Sequence, residues 1–235
     1  VLYSAIYNNT PYGNIGAGTV SSVESITLED VKSYYSTYYN RNNVVLAIAG
    51  DYDGAFLTKI KADLGNLPDG KPAASPEIKP AKIEGYETII VNKKAAATAI
   101  SMGFPINLLR GTREWYALAI ANSWLGEHRN SSSHLYQVIR EKRGLNYGDY
   151  SYIENFPNGG RLSMPPVNVG RRHHIFEIWI RPVPNEAHHF SLRAALRELS
   201  MLIENGMSKS EFEVTRKFLK NYVLHYAPSQ SAQLG

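Results

Sequence analysis

The chain has 235 residues, of which 43% are hydrophobic, so it is long enough for one large unit or two smaller ones with cores of their own. Its net charge is only +4, and acidic residues are interspersed among the lysines and arginines. This pattern favours a solvated mixed-charge surface over a nucleic-acid-binding stripe. The absence of cysteine excludes disulfides, thiol catalysis and cysteine-ligated zinc.

The sequence carries no pattern typical of a membrane span or an export signal. The longest wholly apolar run, Val44 to Ala49, is far too short to cross a bilayer, and no charged-then-apolar leader opens the chain. Because the chain starts with Val1 and its last predicted helix runs into a polar tail, we expect a piece of a longer polypeptide. The compartment stays open, and an exported bacterial location is compatible with the lack of cysteine.

The first part of the chain predicts two helices with a strand between them. The pattern Thr27-Leu-Glu-Asp30 resembles a capping box, and it begins a helix over residues 28–39. The apolar run 44–49 lies between Asn43 and Gly50, which predicts a strand that is buried on both faces. Residues 51–54 then turn the chain into a second helix.

A proline-rich segment separates this part from the rest. Residues 67–80 carry four prolines among glycine, alanine, serine and lysine, a composition that suits an extended connection. We therefore predict one domain over residues 1–67, a linker over 68–80 and a second domain over 81–235.

The second domain is predicted to alternate strands and helices. In chain order we expect strands over 87–91 and 97–104, helices over 112–127 and 133–143, strands over 145–153 and 175–183, and helices over 186–205 and 208–226. This order predicts an α+β fold with helices packed on one side of a mainly antiparallel sheet. The stretch 155–174 has no periodicity, which is typical of a long loop.

Two of these elements carry further detail. Strand 175–183 alternates apolar with polar positions, so we expect one face in the core and the other face to be wetter. The apolar positions are Phe176, Ile178 and Ile180, and the alternate positions are Glu177, Trp179 and Arg181. The last helix begins at the capping box Ser208-Lys-Ser-Glu211.

No motif for metal binding or nucleophilic catalysis occurs in the sequence. It contains neither His-x-x-Glu-His nor His-Glu-x-x-His, and it has no Gly-x-Ser-x-Gly elbow. The adjacent histidines of the pairs 173–174 and 188–189 point in different directions, so neither pair forms a ready chelate. We therefore expect this chain to bind no metal and, by itself, to hydrolyse no peptide.

The most informative segment runs from Leu135 to Tyr147 and reads Leu-Tyr-Gln-Val-Ile-Arg-Glu-Lys-Arg-Gly-Leu-Asn-Tyr. It predicts a helix that ends at Gly144 and leads into a tyrosine-rich strand. This arrangement sets Arg140 and Tyr147 where their polar ends can meet one ligand. The segment resembles the signature in the second half of the insulinase/pitrilysin metallopeptidases. An earlier block, from Thr10 to Asp51, resembles the closing part of a repeat in the same family.

The resemblance implies a specific organisation. Family members contain tandem α+β repeats that enclose a chamber for unfolded peptide, and their zinc is held by an inverted His-x-x-Glu-His motif. On this template, residues 1–67 are the tail of one repeat and residues 81–235 are most of a following, non-catalytic repeat. Zinc is then expected in a catalytic repeat of the parent protein or in a partner subunit. An extended or unfolded peptide is the expected substrate.

The resemblance also implies roles for Arg140 and Tyr147. In the family, the arginine and tyrosine at these positions reach from the non-catalytic half toward the zinc of the other half. A guanidinium and a phenol can grip a peptide carbonyl and stabilise the oxyanion that forms on it. The ordinary alternative is that the arginine complements a helix dipole and the tyrosine fills core.

Two functional hypotheses follow. In the first, the chain is a fragment of a zinc metalloendopeptidase that contributes substrate binding and oxyanion stabilisation. In the second, it is an inactive structural or assembly subunit related to these peptidases. A zinc motif upstream in the same polypeptide, or in a partner, separates the two hypotheses. Nucleic-acid binding ranks well below both.

Overall fold

The computed structural model describes residues 1–127, 130–154, 172–225 and 229–230. In it the chain divides into two units. One unit combines Val1–Ile6 with Pro80–Tyr226, and the other is built mainly from Tyr7–Lys79. The assignment of residues 1–67 and 81–235 to two successive repeats remains a prediction.

Seven α-helices, one π-helix, three short 3-10 helices and three strands make up the regular structure of the described residues. The helices are α1 (Leu2–Ile6), α2 (Val20–Ser25), α3 (Leu28–Tyr38), α4 (Gly54–Gly65), α5 (Arg113–Gly126), α6 (His188–Asn205) and α7 (Lys209–Tyr222), and the π-helix spans Tyr136–Glu141. The strands are β1 (Ala97–Ile106), β2 (Gly148–Tyr152) and β3 (His174–Pro184). The α+β fold class is confirmed.

The unit around Tyr7–Lys79 contains α2, α3 and α4. Helix α3 begins as predicted: the Thr27 hydroxyl accepts from the Asp30 N–H at 3.2 Å, and the Asp30 carboxylate accepts from the Thr27 N–H at 2.8 Å. After α3, the buried Asn40 donates to the carbonyls of Thr37 and Lys71. These bonds tie the end of α3 to the proline-rich segment within this unit.

The predicted strand over Val44 to Ala49 is wrong. No strand is assigned there, and the Val45 residue is 96% exposed. The apolar run matches the strand pattern, but a strand also needs a neighbour that accepts and donates its backbone hydrogen bonds. The described residues of this unit provide no such neighbour. The predicted strand at 87–91 in the other unit fails in the same way, with Ile90 85% exposed.

The other unit is organised around a three-stranded antiparallel sheet in the order β1-β3-β2. Central strand β3 pairs Ile178 with Met102 of β1 and with Ser151 of β2. Its apolar face packs into a core cluster with α5, the π-helix and α6. The buried members of this cluster are Leu125, Leu135, Val138, Ile139, Ile153, Phe176, Ile178, Ile180, Val183 and Ala195.

The other face of β3 is drier than the alternation predicted. Arg181 is exposed and Trp179 is half-buried, but Glu177 is 4% exposed. Burial raises the pKa of Glu177, while Trp179, Arg181 and Tyr3 of α1 lower it. Trp179 and Arg181 thus follow the predicted wetter face, whereas Glu177 departs from it, because Tyr3 of α1 supplies a contact from a distant part of the sequence.

The remaining elements lie close to their predicted places. Helix α5 follows its N-cap Thr112, and α7 follows the predicted capping box between Ser208 and Glu211. The helix predicted over 133–143 contains the π-helix. Most of the predicted loop 155–174, and the predicted helix end at residue 226, lie outside the described residues. Among the helices that the structure describes, none has the length and apolar character needed to cross a bilayer.

Candidate functional site

The candidate site is built on the π-helix. Its inner side places Leu135, Val138 and Ile139 in the core, which leaves Tyr136 and Arg140 on the outer side, four residues apart. The turn is wider than in an α-helix: the Lys142 N–H donates to the Gln137 carbonyl, five residues earlier in the chain, at 3.1 Å. Short π-helical turns of this kind are frequently found at functional sites.

A glycine turn joins the π-helix to β2. Gly144 has a φ of 62°, a left-handed conformation that favours glycine, and its N–H donates to the Arg140 carbonyl at 2.6 Å. The chain then reverses, so that Tyr147 lies directly before β2 and returns to the side of the π-helix. The sequence motif thus produces the predicted helix-to-strand junction.

A second glycine allows the layers to approach closely. A Cβ at Gly126, the last residue of α5, would lie 3.0 Å from the backbone nitrogen of Ser151 in β2 and 2.9 Å from a methyl of Leu135. The Ser151 hydroxyl donates to the Asn122 carbonyl of α5. This close contact fixes β2, and with it the junction, against α5.

Arg140 and Tyr147 converge. The guanidinium carbon of Arg140 lies 4.2 Å from the centre of the Tyr147 ring and 4.6 Å from the centre of the Tyr136 ring. One guanidinium nitrogen also contacts the Tyr147 carbonyl oxygen at 3.5 Å. Aromatic faces attract a cation at these distances. The guanidinium is thus held by two tyrosines.

The exposure of these side chains tests the alternative that Arg140 and Tyr147 have only structural roles. Tyr147 is 70% exposed, so it does not fill core, whereas the Arg140 side chain is 27% exposed. The second arginine of the motif, Arg143, has a structural role, since it donates to the Val138 carbonyl of the π-helix at 2.5 Å. Arg140 therefore differs from Arg143: it presents a charged group near the surface beside an exposed phenol.

Two residues of this junction were missed in the sequence analysis. Tyr136 lies one turn before Arg140, and burial, followed by its hydrogen bond with Glu141, raises its pKa. Asp149 lies in β2 and is fully buried. The spacing of four residues before Arg140 was a usable indication for Tyr136. Asp149 was visible as a carboxylate within a strand pattern, two residues after Tyr147.

A separate polar network supports the start of the π-helix. His134 shares a hydrogen bond of 2.6 Å with Glu198 of α6, and its ring stacks on Trp124 of α5 at 4.4 Å. Trp124 in turn donates to Glu211 at the start of α7 at 3.2 Å. These contacts link three helices behind the junction. Glu198 is buried and is also bonded to Arg197.

The donor groups that the structure describes do not fit a zinc ion. In residues 1–127, 130–154, 172–225 and 229–230, no three His, Asp or Glu side chains are grouped so that they could hold a metal. His134 is paired with Glu198, and His174 lies in the buried strand β3. The candidate site instead consists of the Arg140 guanidinium and the aromatic rings of Tyr136 and Tyr147.

The comparison with protein families decides the classification. The model of the peptidase M16 inactive domain matches residues 25–219. The chain belongs to the peptidase M16 family. The predicted resemblance to the insulinase/pitrilysin-type peptidases is confirmed, and the matched description is that of the inactive domain rather than of the zinc-binding one.

Similar proteins agree with this assignment. An uncharacterized zinc protease of Streptomyces coelicolor is 27% identical over 217 residues, which cover 88% of this chain and 42% of that protein. A protease from Helicobacter pylori has the same fold, with a TM-score of 0.79 at 19% identity over 98% of this chain and 52% of that one. A chain of Complex III2 from Candida albicans gives a TM-score of 0.71 at 18% identity, covering 99% of this chain and 52% of that one. The M16 chain thus spans about half the length, or less, of these relatives.

Proposed function

We propose that this M16 inactive domain supplies Arg140 and Tyr147 as a grip for the carbonyl of a peptide substrate in a zinc metalloendopeptidase. The observation that carries the proposal is the convergence of the Arg140 guanidinium with the exposed Tyr147 ring, 4.2 Å apart. Zinc, expected in a catalytic repeat of the parent protein or in a partner subunit, supplies the hydrolytic chemistry. The names of the relatives support this zinc-protease context.

Arg140 suits the task because a guanidinium keeps its charge and offers several N–H donors in a fixed plane. Its central carbon lies 4.6 Å from the ring centre of Tyr136 and 4.2 Å from that of Tyr147, so the two rings fix the position of a group whose N–H donors can bond a carbonyl oxygen. A donor that is already positioned stabilises negative charge on that oxygen without reorganisation. We therefore assign Arg140 to stabilise the charge that develops on the carbonyl oxygen.

Tyr147 adds a neutral donor from the same place. Its phenol is exposed, and its backbone is fixed by the contact of its carbonyl oxygen with Arg140 and by the start of β2. A phenol donates one hydrogen bond. Together the two side chains suit an extended peptide, whose carbonyls are free of internal hydrogen bonds.

The test is turnover of an internally quenched, unstructured peptide by the complete zinc-bearing polypeptide or complex. We expect Arg140→Gln to lower kcat by about 10²- to 10³-fold, the usual loss for one oxyanion donor, and Tyr147→Phe to lower it less. Arg216→Gln is the matched control, because Arg216 is an exposed helical arginine paired with Glu213 at 2.6 Å. Tyr116→Phe, at a tyrosine that is 57% exposed on α5, is the control for Tyr147.

These controls set the criterion for failure. If Arg140→Gln and Arg216→Gln give the same kinetics, Arg140 has no part in turnover and the proposal is wrong. Peptide turnover must also stop when zinc is removed by a chelator and return when zinc is restored.

The second candidate is an assembly subunit without catalytic function. The similarity in fold to a chain of Complex III2 supports this candidate, since that chain belongs to a multi-subunit complex. Deleting the domain would then dissolve the complex, whereas Arg140→Gln would change neither assembly nor any turnover. Intact assembly together with lost turnover in Arg140→Gln excludes this candidate.

A further inference from the structure

Asp149 occupies an unusual place for a carboxylate. It lies in β2 opposite Ile180 of β3, and neighbouring residues of paired strands share one face of a sheet. Ile180 belongs to the core cluster with Leu135 and Ile139, so Asp149 faces the π-helix from within the core. It is fully buried, and neither of its carboxylate oxygens has a hydrogen-bond partner of ordinary geometry among the described residues.

Such a group is costly to keep. A buried carboxylate loses its hydration, and a core normally contains one only when a partner or a function requires it. Burial raises the pKa of Asp149 to about 6, while the Asn146 side chain and the Arg140 charge lower it. An apolar residue would fill the same strand position without this cost. The presence of an aspartate at this buried position therefore needs a specific explanation.

Arg140 provides that reason. Arg143 is engaged by the Val138 carbonyl, and Arg181 lies 3.8 Å from the Trp179 ring on the other face of β3. The guanidinium of Arg140 lies beside this strand, since one of its nitrogens is 3.5 Å from the carbonyl oxygen of Tyr147, two residues before Asp149. Arg140 is also the cation that acts on Asp149. The elements packed against this face carry other titratable groups: Glu127 at the end of α5, Tyr136 and Glu141 of the π-helix, Tyr147, and His134 paired with Glu198 of α6.

We propose that Asp149 is a positioning residue for Arg140: its buried carboxylate attracts the guanidinium from below and keeps it between Tyr136 and Tyr147, with its donor edge toward the substrate. This inference rests on the proposed function, and it names the group that orients the grip. The ionised carboxylate holds Arg140 in place, and the protonated acid releases it. Tyr136 and Tyr147 confine the guanidinium sideways, and Asp149 sets its depth.

The first experiment needs no enzyme activity. The Nε–Hε resonance of Arg140, followed by NMR in the full chain, should shift with a midpoint near the pKa of Asp149, about 6. Asp149→Asn should abolish that transition. Glu177→Gln, which removes a buried carboxylate on the opposite face, should leave it in place. An Arg140 transition that persists in Asp149→Asn overturns the inference.

A reciprocal measurement covers the case in which Asp149→Asn does not fold. Arg140→Gln changes a partly exposed side chain and removes the cation, so it should raise the midpoint of the Asp149 carboxyl ¹³C titration. An unchanged midpoint contradicts the inference independently of the first experiment.

The second experiment measures turnover in the complete zinc-bearing assembly with the quenched peptide. Asp149→Asn should lower kcat by roughly 10- to 100-fold with little change in KM, since a misplaced group loses rate rather than binding. It should cause no further loss in an Arg140→Gln background. If the resonance of Arg140 follows Asp149 but Arg140→Gln keeps full turnover, the proposed function is wrong and the positioning contact stands. If the losses in the two backgrounds are equal, Asp149 does not act through Arg140.

Discussion

The two units differ in how well their apolar side chains are covered. In the unit with the sheet, Leu135, Ile139 and Ile180 are fully buried. In the unit around Tyr7–Lys79, helix α3 has no buried residue, and Leu28 is 70% exposed and Val45 96% exposed. Both units carry clear apolar patterns. Helix α3 is regular without being buried, so the difference shows that an apolar pattern leads to burial only where the described part of the chain supplies a surface to pack against.

Truncating an apolar side chain in each unit should give the largest contrast. Leu135→Ala leaves a cavity in the core cluster, and we expect it to lower the free energy of unfolding by about 2–5 kcal/mol. Val45→Ala removes atoms that are already in water, so we expect a change below about 0.5 kcal/mol. Urea unfolding followed by circular dichroism measures both. Equal losses in the two variants would contradict the difference between the units.

The pH dependence of stability tests the core of the sheet unit further. Burial raises the pKa of folded Asp149 to about 6, whereas the ordinary pKa of an exposed aspartate is 3.8. The folded state therefore binds more protons than the unfolded state in this window, so the free energy of unfolding falls as pH rises from about 4 to about 6. The full effect is at most about 3 kcal/mol.

Asp149→Asn should remove this part of the pH dependence, so its gain in stability over the unmodified chain should be larger at pH 7 than at pH 4. Glu177→Gln serves as the comparison, since burial also raises the pKa of Glu177 and its contribution has the same sign. Denaturation curves at the two pH values measure both variants. A gain that is the same at pH 4 and pH 7 would show that Asp149 is not held in its neutral form by burial.

Removing a helix cap in each unit should give the smallest difference in stability between the two units. Ser208→Ala removes the oxygen that accepts from the Glu211 N–H at 3.2 Å, and we expect it to destabilise the sheet unit by about 1 kcal/mol. It should also raise the pKa of Glu211, which hydrogen bonds from Ser208 lower. Thr27→Ala removes the corresponding cap of α3, but this helix buries no residue. Its loss should therefore appear as local fraying in hydrogen exchange, with little change in global unfolding.

The sequence correctly predicted those features that depend on residues close together in the chain. The starts of α3 and α7 depend on contacts within four residues, and both capping boxes were recognised. The junction from Arg140 to Tyr147 was recognised because a helix, a glycine and a strand follow one another directly in the chain. The family was recognised from the same segment, and the family comparison confirms it.

What could not be predicted depends on contacts between distant segments. Residues 44–49 have the composition of a strand, but pairing is decided by a neighbour that the pattern does not contain. Glu177 alternates with apolar residues in the sequence, yet α1 covers it. Asp149 became a candidate only when the strand register placed it opposite Ile180 on the core face and its carboxylate proved sensitive to the charge of Arg140. Each case needs the three-dimensional arrangement of elements.

The most direct test of the central claim is a structure of the complete zinc-bearing assembly with a phosphinic peptide, whose tetrahedral phosphorus group imitates the attacked carbonyl. The account predicts that the Arg140 guanidinium and the Tyr147 hydroxyl both donate to a phosphinyl oxygen, at roughly 2.7–3.1 Å. A bound phosphinic peptide whose oxygens are contacted by neither residue would contradict it.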